Sequence, residues 1–366
     1  CMNKNLKTFL NRKYSKKLIM KTIKIGNKKI GEKYDCYIIA EIGSNFDGSL
    51  TKAKKLMKLA KDSGADAAKF QSFKTELLLS KKGFDNKSAF QSHWKKSVWN
   101  TYKDAEFPRK WHKILNDYAK KIGIDFFTSP WDFEAVDTIV NLDVPAIKIG
   151  SGDITYLEFL EYVGKTKKPI LLATGASNMK EVEMAVKAIK STGNDKIILM
   201  HSVTQYPSPI EESNLKAMVT LMKKFSLNVG YSDHSPGMLI PYASIMLGAS
   251  VIEKHFTLDK NSVGPDHPHS MTPPEFKEMV KNIRNLKSAL GNGIKKPVLS
   301  ELETRIIQRR GLWTIKKITK GELFTRNNTG VLRPHIGMSA DKYKVVLGKK
   351  SKKKLDAFVP IKKSYF

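Results

Sequence analysis

Cys36-Tyr37-Ile38-Ile39-Ala40-Glu41-Ile42-Gly43-Ser44-Asn45 runs apolar for five residues, then stops on a carboxylate and a polar turn. The run is near-continuous rather than alternating, the pattern of a strand covered on both faces. Residues 52–63 follow it with apolar residues at helical spacing and lysines between them,. A strand followed by an amphipathic helix opens either a doubly wound sheet or a barrel. The doubly wound sheet usually carries a glycine-rich phosphate loop after its first strand. Glu41-Ile42-Gly43-Ser44-Asn45 is no such loop.

The unit recurs. Apolar runs at 66–71, 124–129, 146–151, 170–174, 197–202, 228–232 and 250–256 join the first, and amphipathic segments such as 111–122, 179–189 and 214–224 lie between them. Eight strands each followed by a helix is the count of a (β/α)8 barrel, here spanning 22–290. Residues 73–107 interrupt the rhythm with about 35 residues that include Phe84, Phe90, Trp94 and Trp99. Such an insertion either covers an active site or is a surface excursion. Gly291-Asn292-Gly293 and Lys295-Lys296-Pro297 open a linker over 291–307,. Residues 308–366 have short strand patterns, several glycines and no long amphipathic segment, which predicts a small β-rich domain,.

Composition narrows the function class. A hydrophobic fraction of 41% fits a globular chain, and no apolar run reaches the roughly 18 residues of a membrane span,. The net charge of +30 raises nucleic-acid binding, but the lysines are spread along the chain on helical polar faces, and no nucleic-acid motif accompanies them,. A solvated lysine surface that attracts anionic substrates is the simpler reading. The basic segment 1–21 lacks an apolar core and cleavage site, so it reads as an extension rather than a signal peptide. Cys1 and Cys36 form no disulfide framework or metal spacing, which suits a cytoplasmic protein,.

Barrel enzymes place their chemistry at the C-terminal ends of the strands. Here those ends carry Glu41, Lys69 and Gln71, Ser129, Lys148 and Ser151, Thr174, His201 and Ser202, Ser232 and His234, and Glu253 and His255. Any one of them has a structural explanation. Loading almost every end with groups that are costly to bury unpaired does not. Lys69, Ser129, Lys148, Ser151 and Ser232 suit a phosphate and a carboxylate, with Gly150-Ser151-Gly152 letting backbone N–H groups approach an anion. His234 and His255, at the ends of neighbouring strands, suit a divalent metal with a nearby carboxylate. A Schiff-base aldolase using Lys69 or Lys148 is the rival chemistry, and the residues alone do not separate the two.

Ala40-Glu41-Ile42-Gly43-Ser44-Asn45, Lys69-Phe70-Gln71, Lys148-Ile149-Gly150-Ser151-Gly152, Tyr206-Pro207, Gly230-Tyr231-Ser232-Asp233-His234, Glu253-Lys254-His255-Phe256-Thr257 and Gly264-Pro265-Asp266-His267 resemble, in order and spacing, the sialic acid synthases. The tail, with Lys320-Gly321-Glu322, Arg333-Pro334 and Gly348-Lys349, is similar to the antifreeze-like (SAF) domain of those enzymes. The resemblance spans about residues 22–362. It implies a (β/α)8 barrel with an antifreeze-like domain in a domain-swapped homodimer that condenses phosphoenolpyruvate with an N-acyl-hexosamine. It also implies a divalent metal, manganese foremost with magnesium or cobalt as alternatives.

The resemblance gives each residue a role. His234 and His255 become metal ligands, and Glu41 a catalytic carboxylate. Lys69, Ser129, Lys148, Ser151, Thr204 and Ser232 hold phosphoenolpyruvate. Gln71, Tyr206 and Asp266 face the sugar, and Arg333 of the partner subunit's tail domain reaches the N-acyl group. Ala173, Thr204 and Phe46 depart from residues common in the family. Phe46 in particular predicts the loss of a polar group near the sugar. These changes leave open N-acetylmannosamine or a 2,4-diacetamido trideoxy sugar leading to legionaminic or pseudaminic acid. A catalytically inactive sugar-binding barrel is the alternative from another class.

Overall fold

The structure, a computed structural model, describes residues 20–84, 86–87, 91–92 and 94–366. Most of the basic extension at 1–21, Cys1 included, and also Phe90 lie outside the described residues. Two compact units divide the chain, one ending at Gly291 and the other spanning Asn292–Phe366.

The first unit opens with a hairpin, β1 (Ile23–Ile25) and β2 (Lys28–Ile30), in antiparallel register. Eight strands follow: β3 (Tyr37–Gly43), β4 (Ala67–Ser72), β5 (Asp125–Pro130), β6 (Ile147–Ile149), β7 (Ile170–Ala173), β8 (Ile197–His201), β9 (Asn228–Asp233) and β10 (Val251–His255). Their hydrogen-bonded order is β5-β4-β3-β10-β9-β8-β7-β6, every ladder parallel. β5 and β6 are close neighbours across the remaining gap, so the sheet curls into a nearly closed (β/α)8 barrel,. All eight strands lie on runs the sequence marks out.

Each run is apolar because both of its faces are covered. All seven residues of β3 are buried, as are all five of β10. The helices complete the cover. Leu50–Asp62 starts where Ser49 Oγ accepts the Lys52 N–H at 3.2 Å, and it buries Ala53, Leu56, Met57 and Ala60 on one stripe,. Full burial of side chains such as Leu56 and Met57 stabilises by roughly 1.5–3 kcal/mol each.

The hairpin closes the N-terminal mouth of the barrel. Ile23, Ile25 and Ile30 join the barrel core. Lys28 pairs with Asp66, whose Oδ2 also accepts from the Ile38 N–H at 2.7 Å and the Arg284 guanidinium at 2.9 Å. The polar strand ends lie at the opposite, C-terminal rim,.

The second unit is β-rich around a small core of Leu312, Ile318, Phe324, Val346, Leu355 and Ile361. β11 (Gly311–Thr314) and β12 (Thr329–Leu332) pair antiparallel, and single bridges tie Trp313 to Pro360 and Ile318 to Leu355. The segment read as a linker, 291–307, belongs almost wholly to this unit and carries the helix Leu302–Gln308, none of whose residues is buried. Among the described residues no helix is long and apolar enough to cross a membrane.

Candidate active site

Parallel register and the two-residue period of a strand decide which side chains meet at the rim. Glu41 on β3 stands opposite Lys69 on β4 and opposite His255 on β10. Gln71, two residues beyond Lys69, stands opposite Ser129 on β5. Glu253 on β10 stands opposite Ser232 on β9. Between Glu253 and His255, Lys254 takes a different partner. It bonds Asp233, its register partner, and the Ser235 carbonyl, in a separate buried pair.

The charged groups form one linked row. Glu41 Oε2 lies 2.6 Å from Lys69 Nζ, and Lys69 Nζ lies 3.8 Å from Glu253 Oε1. Lys148 Nζ donates to Glu253 Oε1 at 2.8 Å. Neutral donors complete the row: Gln71 Nε2 donates to Glu41 Oε1 at 2.8 Å, and the Ser232 hydroxyl to Glu253 Oε1 at 3.0 Å. Lys69 also donates to Ser129 Oγ at 3.3 Å. Glu41, Lys69, Lys148 and Glu253 are all buried.

The row separates two carboxylates by environment. Burial pushes Glu41 up to about 7, against the pull of Lys69, and the charge of Glu253 adds to the rise. Burial also opposes the charged form of Glu253, but Lys148 and Lys69 outweigh it and hold that carboxyl below the usual range. Burial lowers Lys148 as well. Glu253 therefore stays ionised while Glu41 is poised to exchange a proton near neutrality, a division of roles familiar from paired catalytic carboxylates.

A second group lies at the end of β10 and on the loop that follows it. One ligand atom each from His255, Asp266 and His269 falls within a common 4.8 Å. His255 Nδ1 is buried without a hydrogen-bond partner and lies 3.9 Å from Asp266 Oδ2. Burial, with His269 and His234 adding to it, drives the His255 pKa well down and keeps the imidazole neutral. Two imidazoles and a carboxylate suit a first-row divalent cation. His234 stands alongside, its ring 5.6 Å from that of His255 and 4.2 Å from that of Tyr206, with Nδ1 2.8 Å from the Val203 carbonyl.

The loop is held in place on purpose-built contacts. Asp266 Oδ2 accepts from the Ser44 N–H at 3.3 Å and the Ser44 hydroxyl at 3.2 Å. Gly43, at φ +55°, permits this approach, since a Cβ there would sit 2.5 Å from Asp266 Oδ2. His267 bridges Thr257 Oγ1 at 2.6 Å and Asp47 Oδ1 at 2.9 Å.

Hydroxyls gather around Gly175. Its N–H donates to Ser151 Oγ at 3.1 Å, and Ser151 Oγ lies 3.4 Å from Ser202 Oγ. A Cβ at Gly175 would collide with Ser151, Ser202 and Thr204 together. This is the geometry of an anion cradle made from a turn amide and hydroxyls.

Over these groups lies a cavity of about 450 Å³ lined by Gln71, Tyr206, His255, Asp266 and His269 on one side. The insertion supplies much of the other side: Phe73, Leu78, Leu79, Trp94 and Tyr102. Of the two readings of 73–107, the cover over the site is the one seen. The structure thus gathers Glu41, Lys69, Gln71, Ser129, Lys148, Tyr206, Ser232, His234, His255 and Asp266 at one rim. Ser151 and Thr204 lie in the hydroxyl cluster. Arg333 is exposed at the end of β12 in the second unit.

Glu253 is named among the strand-end groups but receives no role from the sequence, and His269 is missed altogether. Phe46 corrects an expectation. Its ring is buried against Phe70, Phe107 and Trp111 and does not line the cavity, so it removes no polar group from a sugar subsite.

The NeuB family profile matches residues 56–295, about two thirds of the chain. The chain belongs to the NeuB family. It is 44% identical over 317 residues to the N,N'-diacetyllegionaminic acid synthase of Campylobacter jejuni, covering 85% of this chain and 94% of that protein. To the synthase of the same name from Legionella pneumophila it is 37% identical over 343 residues, 91% and 95% of the two chains. The crystal structure of the N-acetylneuraminic acid (sialic acid) synthetase of Leptospira borgpetersenii superposes with a TM-score of 0.71 at 33% identity, over 78% of this chain and 95% of that one. The NeuB match begins within the first barrel helix and ends just past the last, so the barrel carries the family assignment.

Proposed function

We propose that the barrel condenses phosphoenolpyruvate with the open-chain form of an N-acyl-hexosamine and water, giving a nine-carbon 2-keto-3-deoxy sugar acid and phosphate. The observation that carries the reading is the buried row Glu41–Lys69–Glu253–Lys148 beside His255, Asp266 and His269. Lysines held by carboxylates under a hydroxyl cradle suit a dianionic substrate. They argue against a Schiff-base aldolase, which needs a neutral amine, because both ammonium groups are already ion-paired,.

Lys69, Lys148, Ser129 and Ser232 then hold the carboxylate and enol end of phosphoenolpyruvate, and Ser151 and Thr204 its phosphate. Gln71, Tyr206 and Asp266 orient the sugar. The methylene carbon of phosphoenolpyruvate forms the new C–C bond to the aldehyde carbon, and the aldehyde oxygen takes up a proton. Water adds to the cation left at the neighbouring, phosphate-bearing carbon and gives up a proton. The resulting tetrahedral carbon expels phosphate by C–O cleavage, leaving the ketone. Glu41, poised near neutrality, is the group in reach to carry these protons,.

His255, with His234, Asp266 and His269 around it, would hold a divalent metal, manganese foremost. Such an ion supplies Lewis-acid polarisation of the aldehyde. The second unit is read as the antifreeze-like domain, with Arg333 reaching the N-acyl group of the partner subunit's substrate in a domain-swapped homodimer. The sugar is N-acetylmannosamine or a 2,4-diacetamido trideoxy hexose, and the names of the relatives favour the second.

Purified protein given manganese, phosphoenolpyruvate and a panel of N-acyl hexosamines should release phosphate with at least one of them. Chelator should stop the release, and His234→Ala should remove most of it. No release with any sugar of the panel would sink the reading.

A further inference from the structure

Two buried charges in the barrel, Lys254 and Asp233, belong neither to the charged row nor to the cavity wall. Alternation along β10 turns Glu253 and His255 to the inside of the barrel and Lys254 to the outside. On β9 it turns Ser232 inward and Asp233 outward,. The neighbours on that outer face are Ala40, opposite Lys254 on β3, and the register partners Ile252 and Tyr231, and none of them is charged. Lys254 and Asp233 are each 1% exposed, and Ser235 is wholly buried. An ion pair buried this fully is a poor source of stability, since apolar side chains of similar volume serve as well or better. What distinguishes this pair is what it connects.

Asp233 and Ser235 flank His234. Asp233 Oδ1 accepts from the Ser235 N–H at 2.9 Å and from the Ser235 hydroxyl at 2.7 Å, which closes a turn around His234. The Lys254 ammonium donates to Asp233 Oδ2 and to the Ser235 carbonyl, the two ends of that turn. Lys254 itself directly precedes His255. One ammonium therefore ties the turn that carries His234 to the strand residue next to His255, and the two rings lie 5.6 Å apart. The His234 ring has a hold of its own, with Nδ1 2.8 Å from the Val203 carbonyl. His255 Nδ1 has no hydrogen-bond partner, so the setting of that ring against His234 rests on the backbone beneath it.

We propose that Lys254 is a positioning residue: by bridging Asp233 and Ser235 it sets His234 against His255, and so fixes the geometry the two imidazoles offer a divalent cation. The inference rests on the cation reading proposed above and adds to it a residue that faces away from the cavity. Loss of an outer group that orients metal ligands typically costs roughly 10–100-fold in metal affinity.

Lys254→Met alone leaves Asp233 buried without its cation and should lower the urea midpoint, which does not separate position from stability. The test is the double variant Lys254→Met/Asp233→Asn, which removes both charges and keeps an acceptor oxygen for Ser235. Its urea midpoint should return most of the way to the native value. Its manganese affinity, read by electron paramagnetic resonance of the free ion, should stay roughly tenfold or more below native. In metal-free protein carrying 15N-labelled histidine, the ring signals of His234 and His255 should move together, while that of His112, on the helix Trp111–Ile122, stays in place. Lys254→Gln, too short to bridge both partners, should show the same two changes and serves if the double variant does not fold. Native manganese affinity or unmoved ring signals in a folded variant would overturn the proposal. A native chain that binds no manganese counts against the cation reading, and the ring signals then decide the positioning role by themselves.

Discussion

Glu41 and Lys69 face each other across neighbouring strands, Oε2 to Nζ at 2.6 Å, and both side chains are out of solvent. Their worth differs. Lys69 also lies 3.8 Å from Glu253, so it remains compensated without Glu41, whereas Glu41 has no second cation in the row. Removing one partner of a buried ion pair typically costs about 3–5 kcal/mol. Lys69→Met should fall in that range by urea denaturation, and Glu41→Gln, which keeps the shape and the Gln71 neighbour, should cost clearly less. In kinetics the order reverses for the proton-carrying role: Glu41→Gln should lower kcat by roughly 10²–10⁴-fold. Equal stability losses, or a Glu41→Gln variant with native kcat, would contradict these roles.

Gly175 offers a test of the anion cradle that touches no charge. A methyl there meets three hydroxyls, two of them at 2.7 Å (Ser202) and 2.8 Å (Ser151), and must push them apart. Gly175→Ala should therefore raise KM for phosphoenolpyruvate by roughly tenfold or more, the cost of losing one or two charge-assisted hydrogen bonds. KM for the sugar should move far less. A variant with unchanged KM for phosphoenolpyruvate would place the phosphate elsewhere.

Much of this site was legible in the chain, and the reasons for the gaps are specific. Parallel strands announce themselves as short apolar runs, so each barrel strand lies where its run predicts. Because catalytic groups sit at the ends of those runs, Glu41, Lys69, Lys148, Ser232 and His255 could be picked out one strand at a time. Glu253 lies inside a quoted motif, yet its importance comes from Lys148, 105 residues away, and no local pattern reveals that pairing. Period-two alternation from His255 was the available signal: Glu253 had to face the same way. His269 sits in an irregular loop with no period to read. Phe46 misled because the turn at Gly43 sends the chain back into the core, where Phe70, Phe107 and Trp111 receive the ring.

Asp266 depends on Gly43 for its position, and that gives a way to separate cation binding from sugar binding. Titration of manganese followed by electron paramagnetic resonance of the free ion reads the first directly. His255→Ala and Asp266→Asn should each weaken manganese by at least tenfold. Gly43→Ala, which drives a Cβ to 2.5 Å from Asp266 Oδ2 and strains a left-handed residue, should do so as well without removing any ligand atom,. His269→Ala is the discriminating variant. It should weaken the ion as His255→Ala does, and unaltered manganese affinity there would exclude His269 from the site.

His112 gives a pH dependence that is independent of the reaction. The ring is buried behind β4, with Nε2 2.8 Å from Ser72 Oγ and Nδ1 2.8 Å from the Arg109 carbonyl. Burial holds its pKa down to about 4 and the Arg109 guanidinium adds to that, with Asp132 and the Arg109 carbonyl pulling the other way. The unfolded chain takes up this proton near 6.5, the folded chain only near 4. The unfolded state therefore binds more protons between those values, and stability falls as pH drops through that window, while above 6.5 the full stability is present. The difference of about 2.5 pKa units corresponds to about 3 kcal/mol. His112→Gln keeps polar contact with Ser72 but cannot titrate. Urea denaturation at pH 7 and pH 4 should show that variant losing about 3 kcal/mol less than the native chain, the remaining fall coming from other buried groups such as His234. Parallel losses in the two proteins would mean that His112 titrates alike in the folded and unfolded states.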